Sequence, residues 1–335
     1  RGDTKYTAVA GTPELRQAIV DKLKRDNNLD YTIDQISVGC GGKQNIYNAL
    51  MATLDPGDEV IIPAPYWVSY PDMVLLAGAK PVIVSGDLSQ NFKITAEQLE
   101  ANITEKTRLF VINSPSNPTG MAYSKAELTA LADVLLKHPN ILIATDDMYE
   151  HILWTEAPFI NIVNACPELI GRTVVLNGVS KAYSMTGWRI GYCGGPAKLI
   201  AAMKKIQSQS TSNPCSISQA AAAAALSGDQ GCIATMLTEF KARHDMVVER
   251  LNKITGVSCL PSDGTFYCFP DVTPVIERLD NIDDDVSLAE HLITTAGVAL
   301  VPGTAFGAPG HVRLSIATSE ANLTEALNRL TKALQ

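Results

Sequence analysis

The sequence predicts an α/β protein in which a mostly parallel sheet is flanked by helices and followed by a smaller α+β domain. In the first two thirds of the 335 residues, short runs rich in β-branched residues alternate with segments of helical periodicity. This alternation is typical of a parallel sheet covered by helices. From about residue 229 the pattern changes to one long helical segment, followed by short strands mixed with helices. At ~150 residues per domain, we expect two domains, a large one over residues 1–235 and a small one over residues 236–335.

Seven strands are predicted for the large sheet, each a short apolar run bounded by turn residues. They are Gln35–Val38, Glu59–Ile62, Pro81–Val84, Leu109–Asn113, Ile141–Thr145, Thr173–Asn177 and Ile190–Cys193. The first helix begins near Pro13, because Leu15, Ile19 and Leu23 follow at the spacing of one buried helical face. Further helices are predicted over Ile46–Thr53, Ser124–Lys137, Ala197–Gln209 and the alanine-rich residues 220–225.

The second pattern opens with one long predicted helix from Asp229 to Ile254. Short strands are then predicted around Phe266–Phe269, Val298–Val301 and Val312–Ile316. Helices are predicted among them, near Val286–Ala296 and Glu320–Leu334. This mixture of short strands and helices indicates the smaller α+β domain.

Composition and charge exclude several classes of protein. The formal net charge of −8 and the lack of any Lys/Arg-rich run argue against a nucleic-acid partner. The longest nearly apolar stretch, Ser218–Leu226, has about half of the ~20 residues that a membrane span needs. The seven cysteines are odd in number and well separated, so neither a metal site nor a disulfide framework is expected. We expect a cytoplasmic protein with free thiols, no metal and no membrane anchor.

Ligands of open parallel sheets bind beyond the carboxyl ends of the strands. Four sets of glycine or polar residues follow predicted strands in this sequence: Gly41–Gln44, Asn113–Gly120, Asp146–Tyr149 and Ser180–Lys181. All four lie at strand ends, where a ligand site is expected.

Each set has a structural interpretation beside a functional one. The glycine turn suits a phosphate cradle or a plain strand-to-helix turn, since Gln44 fits neither a dinucleotide fingerprint nor a Walker loop. Lys181 suits a solvated surface charge or a desolvated, imine-forming nucleophile. Asp146 suits a loop carboxylate or a buried one that needs a cationic partner. Taken singly, other candidates also suit packing, turns or surface ion pairs: Trp67, Tyr149, Asn117 and Arg313.

Residues 180–191, Ser-Lys-Ala-Tyr-Ser-Met-Thr-Gly-Trp-Arg-Ile-Gly, resemble the lysine signature of the class I aminotransferases. These are pyridoxal 5′-phosphate (PLP) enzymes of fold type I. The order and spacing of the other motifs agree with this resemblance: Gly41–Gln44, Pro65–Trp67, Ser116–Gly120, Asp146–Tyr149 and Val312–Ser315. The resemblance covers essentially the whole chain and is closest to the bacterial-type aspartate aminotransferases of the aspartate/prephenate subgroup. It implies a homodimer with shared active sites.

The resemblance implies roles for five residues around the PLP ring. Lys181 would hold the cofactor covalently and move the proton between the substrate and the cofactor. Asp146 would pair with the pyridine N–H. Tyr149 and Asn117 would hydrogen-bond the phenolic oxygen of the ring, and Trp67 would stack on its face.

The phosphate contacts implied by the resemblance come from two parts of the chain and from a second subunit. Arg189, Ser180 and the backbone at Gly42 and Lys43 would hold the phosphate. Tyr6 would reach the phosphate bound by the neighbouring subunit.

On the substrate side, Arg313 would grip the α-carboxylate with two parallel hydrogen bonds, which a lysine could not make in the same geometry. Asn117 and Trp67 would also contact the substrate. Lys43 would meet the distal carboxylate of a dicarboxylic substrate.

The implied reaction is ping-pong transfer of an amino group between an amino acid and a 2-oxo acid, with aspartate and glutamate as the leading donors and oxaloacetate and 2-oxoglutarate as the matching oxo acids. Three alternatives remain open: a prephenate or aromatic aminotransferase, a PLP β-lyase on the same fold, and a non-enzymatic regulator. Because the sequence begins at Arg1 without a methionine, we expect that a preceding segment is missing, including the N-terminal part of the small domain.

Overall fold

The computed structural model describes residue 2 and residues 4–334. Within them the strands are β1 (Ile36–Gly39), β2 (Glu59–Ala64), β3 (Lys80–Ser85), β4 (Thr107–Asn113), β5 (Leu142–Asp146), β6 (Thr173–Gly178), β7 (Gly191–Gly194), β8 (Tyr267–Cys268), β9 (Val301–Pro302) and β10 (Val312–Ser315). The helices are α1 (Pro13–Asn27), α2 (Gly42–Thr53), α3 (Ser69–Leu76), α4 (Ala96–Asn102), α5 (Lys125–Lys137), α6 (Ile162–Ala165), α7 (Ala197–Ser210), α8 (Ser216–Ser227), α9 (Gly231–Leu251), α10 (Thr273–Ile276), α11 (Asp285–Thr295) and α12 (Glu320–Ala333).

The first seven strands form one sheet in the order β1-β7-β6-β5-β4-β2-β3. All neighbouring pairs from β6 to β3 are parallel, whereas β7 is antiparallel to both β6 and β1. The predicted mostly parallel sheet of seven strands is therefore confirmed. Six of its strands, β1 to β6, therefore run in the same direction and end at the same edge.

Local sequence explains where the elements begin and which side they bury. Helix α1 begins at Pro13, after Thr12, whose side chain accepts a hydrogen bond from the Leu15 N–H. The central strands have apolar residues on both faces, as expected for a sheet covered by helices on both sides. Along β5, Ile143 packs into one core cluster and the next residue, Ala144, packs into the cluster on the opposite face.

The second, three-stranded sheet has the order β8-β10-β9, and both of its strand pairs are antiparallel. A separate core packs around it, formed by apolar residues of the last helices and strands, including Val247, Leu251, Leu288, Leu314 and Leu327. These features agree with the predicted α+β character of the C-terminal part. The predicted boundary at residue 235 falls inside α9 and stays a prediction.

Three sequence predictions need correction. The predicted helix Asp229–Ile254 is shortened at both ends, because α9 covers only Gly231–Leu251 and a turn follows at residues 252–256. The strand predicted at Val298–Val301 is limited to β9, Val301–Pro302. Helix α3 and the short helices α4, α6 and α10 were not predicted. Helix α3 contains a proline, Pro71, and leaves its apolar residues Leu75 and Leu76 exposed, so that it lacks a clear buried stripe.

Within the described residues, no helix combines the length and the apolar character that crossing a bilayer requires.

Candidate active site

A cavity of about 330 Å³ opens at the edge where the parallel strands end. It lies between the large sheet and strand β10, which carries Arg313. All but one of the predicted site residues line this cavity: Gly42, Lys43, Trp67, Asn117, Asp146, Tyr149, Ser180, Lys181, Arg189 and Arg313. The structure thus brings together residues from six separate sequence motifs in one place.

Tyr6 is the exception. Its side chain does not line the cavity and is 93% exposed in the single chain. Its role toward a neighbouring subunit stays a prediction.

Lys181 follows β6 and projects into the cavity beside two aromatic rings. Its Nζ atom lies 5.5 Å from the ring centroid of Tyr149 and 5.1 Å from that of Phe266. Burial lowers the pKa of the Lys181 amine, and the positive charge of Arg313 lowers it further. Both effects increase the fraction of neutral amine, which is the form that acts as a nucleophile or a general base.

Asp146 is the last residue of β5 and faces the same cavity. The Tyr70 hydroxyl donates a hydrogen bond to Asp146 Oδ2 at 2.6 Å, and the Met148 N–H donates to Oδ1 at 3.3 Å. Burial raises the pKa of Asp146, whereas the two hydrogen bonds and the charge of Lys181 oppose that rise. Among the described residues Asp146 makes no ion pair within 4.0 Å, so its carboxylate is held by neutral donors.

Asn113, the last residue of β4, links two parts of the site. Its side-chain amide donates to the Asp146 carbonyl at 2.8 Å, and its Oδ1 accepts from the Asn117 N–H at 2.8 Å. These bonds fix the turn that carries Asn117 to the end of the neighbouring strand β5.

Arg313 stands opposite the large sheet and is held by rings and one hydrogen bond. Its guanidinium carbon lies 4.3 Å from the ring centroid of Tyr267 and 4.8 Å from that of Phe306. Nη1 donates to Asn117 Oδ1 at 2.7 Å, and the buried Nε has no hydrogen-bond partner among the described residues. The guanidinium is therefore oriented and retains a donor for an incoming carboxylate.

The other end of the cavity has the features of an anion site. Helix α2 begins at Gly42, directly after Gly41, which has φ of 86°. Arg189 also has a left-handed backbone, with φ of 56°, and its guanidinium lies against Gly41, where a Cβ atom would collide with it. A helix N-terminus and a guanidinium thus face one point, which suits a phosphate.

Lys43 lies on the open side of the cavity. Its Nζ atom is 5.0 Å from the ring centroid of Trp67, and its side chain is exposed. The side chain is therefore solvated before a ligand binds, and its amine can reach a ligand in the cavity.

Tyr149 is buried behind the lysine, and its hydroxyl lies 3.2 Å from the hydroxyl of Tyr267. Burial raises the pKa of Tyr149, and the nearby Tyr267 raises it further. The phenol therefore stays protonated and can donate a hydrogen bond at neutral pH.

Sequence reasoning missed four residues of the site. Asn113 stands in a motif that the sequence singled out, but the bonds it makes to Asp146 and Asn117 depend on strand order. Tyr70 lies in helix α3, which was not predicted. Tyr267 and Phe306 belong to strand β8 and to the turn after β9, and no local motif marks either of them.

The residues of the cavity fit PLP. The Asp146 carboxylate has neutral donors and no cationic partner among the described residues, so it can take the protonated ring nitrogen. The Lys181 amine has a lowered pKa, as covalent attachment requires, and the glycine turn with Arg189 suits the phosphate. The fold and this cavity define the class as a PLP-dependent enzyme of fold type I.

Comparison with known proteins then identifies the family. The family model described as aminotransferase class I and II matches residues 1–330, and the chain belongs to this family. An aspartate/prephenate aminotransferase of Nitrosomonas europaea is 57% identical over 338 residues, covering 99% of this chain and 85% of that protein.

Two solved structures are similar over the same extent. The aspartate aminotransferase of Rhizobium meliloti superposes with a TM-score of 0.96 and 50% identity, covering 100% of this chain and 84% of that one. The aspartate aminotransferase of Thermus thermophilus with maleate has a TM-score of 0.91 and 41% identity, covering 99% of this chain and 84% of that one. The aminotransferase fold and the use of PLP predicted from the sequence are confirmed.

Proposed function

We propose that the protein transfers the amino group of aspartate or glutamate to a 2-oxo acid in a ping-pong reaction. The observation that carries this proposal is the Lys181 amine, which has a lowered pKa and faces the same cavity as Asp146 and Arg313. Relatives at 57% and 50% identity are named aspartate/prephenate and aspartate aminotransferase, which supports a dicarboxylic donor.

Around the cofactor ring, each residue has a defined task. Lys181 Nζ takes the proton from the substrate Cα and passes it to the cofactor. Asp146, which accepts a hydrogen bond from the Tyr70 hydroxyl, pairs with the ring nitrogen and favours its protonated form. Tyr149 and Asn117 donate to the phenolic oxygen, and Trp67 covers the ring face. Bound PLP supplies an electron sink for the negative charge that develops at the substrate Cα.

At the phosphate end, the backbone N–H groups of Gly42 and Lys43, the Ser180 hydroxyl and the Arg189 guanidinium bind the anion. Gly41 leaves room for the guanidinium, because a Cβ atom there would collide with it. These contacts anchor the cofactor independently of Lys181.

Two cationic side chains at separate points of the cavity can each bind one carboxylate of a dicarboxylic substrate. Arg313, oriented by Asn117 and by its two flanking rings, binds the α-carboxylate. Lys43, on the open side, binds the distal carboxylate. The Thermus thermophilus structure contains maleate, a four-carbon dicarboxylate, which supports this arrangement.

We also propose that the protein works in the cytoplasm as a homodimer with shared active sites. In the single chain Tyr6 is 93% exposed, and the apolar side chains of Leu76 and Ile217 are 70% and 77% exposed. Leu76 adjoins Leu75, which is also exposed at the end of α3, and contiguous exposed apolar groups are typical of surfaces that a second subunit covers.

The first experiment is a half-reaction scan of the purified holoenzyme. Aspartate and glutamate should convert the cofactor absorbance to that of its amino form, and addition of 2-oxoglutarate or oxaloacetate should restore it. If neither amino acid changes the spectrum, the proposal is wrong. Release of ammonia and pyruvate without any 2-oxo acid would instead indicate a β-lyase.

Substrate class is tested by Lys43→Ala. Hydrogen bonds to charged groups contribute about 1.5–3 kcal/mol, so kcat/KM for aspartate should fall by about 10- to 150-fold. Phenylalanine lacks the distal charge, and its kcat/KM should change little. Lys125→Ala, which removes an exposed lysine at the start of α5, is the matched control. Equal losses for both donors would show that Lys43 serves only the cofactor.

Prephenate is a second candidate acceptor, favoured by the name of the Nitrosomonas europaea relative. It is tested by supplying prephenate to the enzyme preloaded with amino groups from aspartate or glutamate. Recovery of the original absorbance at a rate comparable to that with oxaloacetate would support this activity.

A further inference from the structure

A buried ion pair lies behind the catalytic turn, outside the cavity. Lys22 of α1 contacts Glu150, the residue directly after Tyr149, through Nζ and Oε1. Lys22 is 1% exposed and Glu150 is 5% exposed. Neither residue lines the cavity, so the proposed reaction uses neither of them directly.

Two asparagines close this pair into a cluster. Lys22 Nζ donates to Asn27 Oδ1 at 2.7 Å, and Asn27 Nδ2 donates to Glu150 Oε2 at 2.5 Å. From the other side, Asn177 Nδ2 donates to Glu150 Oε1 at 2.8 Å, and Asn177 Oδ1 accepts from the Gly178 N–H at 2.7 Å. Glu150 is therefore bound to helix α1 and to strand β6 at the same time.

The two elements joined by Glu150 carry the groups that must meet at the cofactor. Glu150 continues the turn that presents Asp146 and Tyr149, while Asn177 lies near the end of the strand that leads to Lys181. A displacement of either element changes the position of the Tyr149 hydroxyl relative to the Lys181 amine.

Charge in the cluster is balanced locally. Burial acts to raise the pKa of Glu150, but the positive charge of Lys22 and the hydrogen bonds from Lys22 and Asn27 outweigh it, so the pKa is lowered and the carboxylate is ionised. Other titratable groups nearby include Asp26, whose Oδ2 lies 3.9 Å from Lys22 Nζ and 3.3 Å from His151 Nε2. Asp147 lies on the sheet side, and the partly buried phenol of Tyr183 and the buried phenol of Tyr192 are also near Glu150. Burial raises the pKa of Asp147 to about 7.

Stability alone does not account for such a cluster. Replacing a buried ion pair by apolar or neutral groups of similar size is often neutral or stabilising, because two charges no longer have to be removed from water. A buried ion pair that is present instead holds the elements that it joins in one arrangement. Here these elements are α1, the turn of Tyr149 and the strand that leads to Lys181.

We propose that Glu150 is a positioning residue: through Lys22, Asn27 and Asn177 it fixes the turn of Tyr149 against the strand that leads to Lys181. This inference rests on the proposed function of Lys181 and Tyr149. It assigns to α1, whose residues do not line the cavity, a defined part in arranging the catalytic groups.

The test is the double variant Lys22→Met/Glu150→Gln, which removes both charges and keeps similar volumes. Its control is Lys80→Met/Glu59→Gln, because Glu59 is a buried carboxylate at the start of β2 and pairs with Lys80 at the start of β3, away from the carboxyl ends of the strands. For each holoenzyme, the measurements are thermal unfolding, the pH midpoint of the visible cofactor band, and kcat and KM for aspartate.

We expect the double variant to fold and bind PLP but to show an upward shift of the pH midpoint, because a displaced Tyr149 stabilises the anionic phenolic oxygen less. Its kcat should fall by about 10-fold or more with little change in KM, as loss of alignment alone can cost ~10²-fold. The control should retain the wild-type midpoint and kcat.

A wild-type midpoint and kcat in the double variant would overturn the inference, even if thermal stability changes. If the double variant does not fold, Asn27→Ala decides, because it removes the two side-chain hydrogen bonds of Asn27, to Lys22 and to Glu150, and leaves the ion pair. It should shift the midpoint in the same direction by a smaller amount, and no shift would overturn the inference. A wild-type holoenzyme without transamination would instead contradict the proposed function.

Discussion

The two walls of the cavity hold their charged groups in different ways. The cofactor wall consists of Asp146, Lys181 and Asn117, which lie at or just after the ends of strands of the large sheet, and the substrate wall consists of Arg313 with Tyr267 and Phe306. On the cofactor wall, neutral groups donate hydrogen bonds to the charged side chain, as the Tyr70 hydroxyl does to Asp146. On the substrate wall, aromatic rings flank the guanidinium, and its one side-chain hydrogen bond crosses to Asn117 of the opposite wall.

This difference separates fixed from adaptable parts of the site. Hydrogen bonds to charged groups contribute about 1.5–3 kcal/mol, whereas cation–π contacts contribute ~0.5–2 kcal/mol and depend less on direction. We therefore expect substitutions on the cofactor wall to cause large losses of activity. Substitutions on the substrate wall should cause smaller losses. Four substitutions test this expectation, from the largest effect to the smallest.

Lys181→Ala should abolish the proton transfer while leaving the other cofactor contacts. We expect kcat to fall by at least ~10²–10⁴-fold, the contribution of general acid–base catalysis. Borohydride should fix PLP covalently on Lys181 in the wild type and not in the variant. Lys198→Ala, an exposed lysine of α7, is the control. Normal turnover in Lys181→Ala would refute the role of this residue.

Asp146→Ala removes the carboxylate that we propose as the counter-charge of the ring nitrogen. The expected loss in kcat is about 10²–10³-fold, typical of removing one electrostatic group that acts on developing charge, with a smaller change in KM. Asp133→Ala, on the exposed side of α5, serves for comparison. An unchanged kcat would mean that the carboxylate only supports the structure.

Arg313→Lys keeps the charge and removes the planar pair of donors. Because a charge-assisted bond is lost, kcat/KM should fall by about 10- to 150-fold for every amino donor, with or without a distal carboxylate. Steady-state kinetics with aspartate and phenylalanine measure this, with Arg329→Lys of the exposed Arg329–Glu325 pair as control. A loss confined to aspartate would show that Arg313 binds the distal carboxylate instead.

Phe306→Leu removes one of the two rings beside Arg313. The cation–π contribution predicts a rise in KM of about 2- to 30-fold, with kcat nearly unchanged. Phe92→Leu is a matched control, since Phe92 belongs to the same apolar cluster but not to the cavity lining. A loss in kcat as large as that of Asp146→Ala would show that the two walls are equally rigid.

The sequence predicts the cofactor wall better than the substrate wall, for a physical reason. Asp146 and Lys181 stand at the ends of parallel strands, so the order of local motifs is enough to bring them together. Tyr267 and Phe306 meet Arg313 only because separate segments of the small sheet and its turns pack against one another.

Tyr70 shows the same limit on the other wall. Its hydrogen bond to Asp146 depends on helix α3. Because α3 contains a proline and exposed leucines, its sequence lacks a clear helical pattern. Local sequence therefore cannot indicate which buried phenol reaches the carboxylate. The role predicted for Tyr6 involves a second subunit, so it depends on contacts beyond the pattern of one chain.

The pairing of β1 with β7 has a consequence for the order of folding. Val38 pairs with Tyr192, so the glycine turn after β1 and the Arg189 guanidinium meet only when distant parts of the chain have come together. Pairing between strands so far apart in sequence forms slowly, because a long loop must be closed first. PLP therefore binds and stabilises only chains that have completed this step. Refolding followed by cofactor absorbance should lag behind refolding followed by helix content.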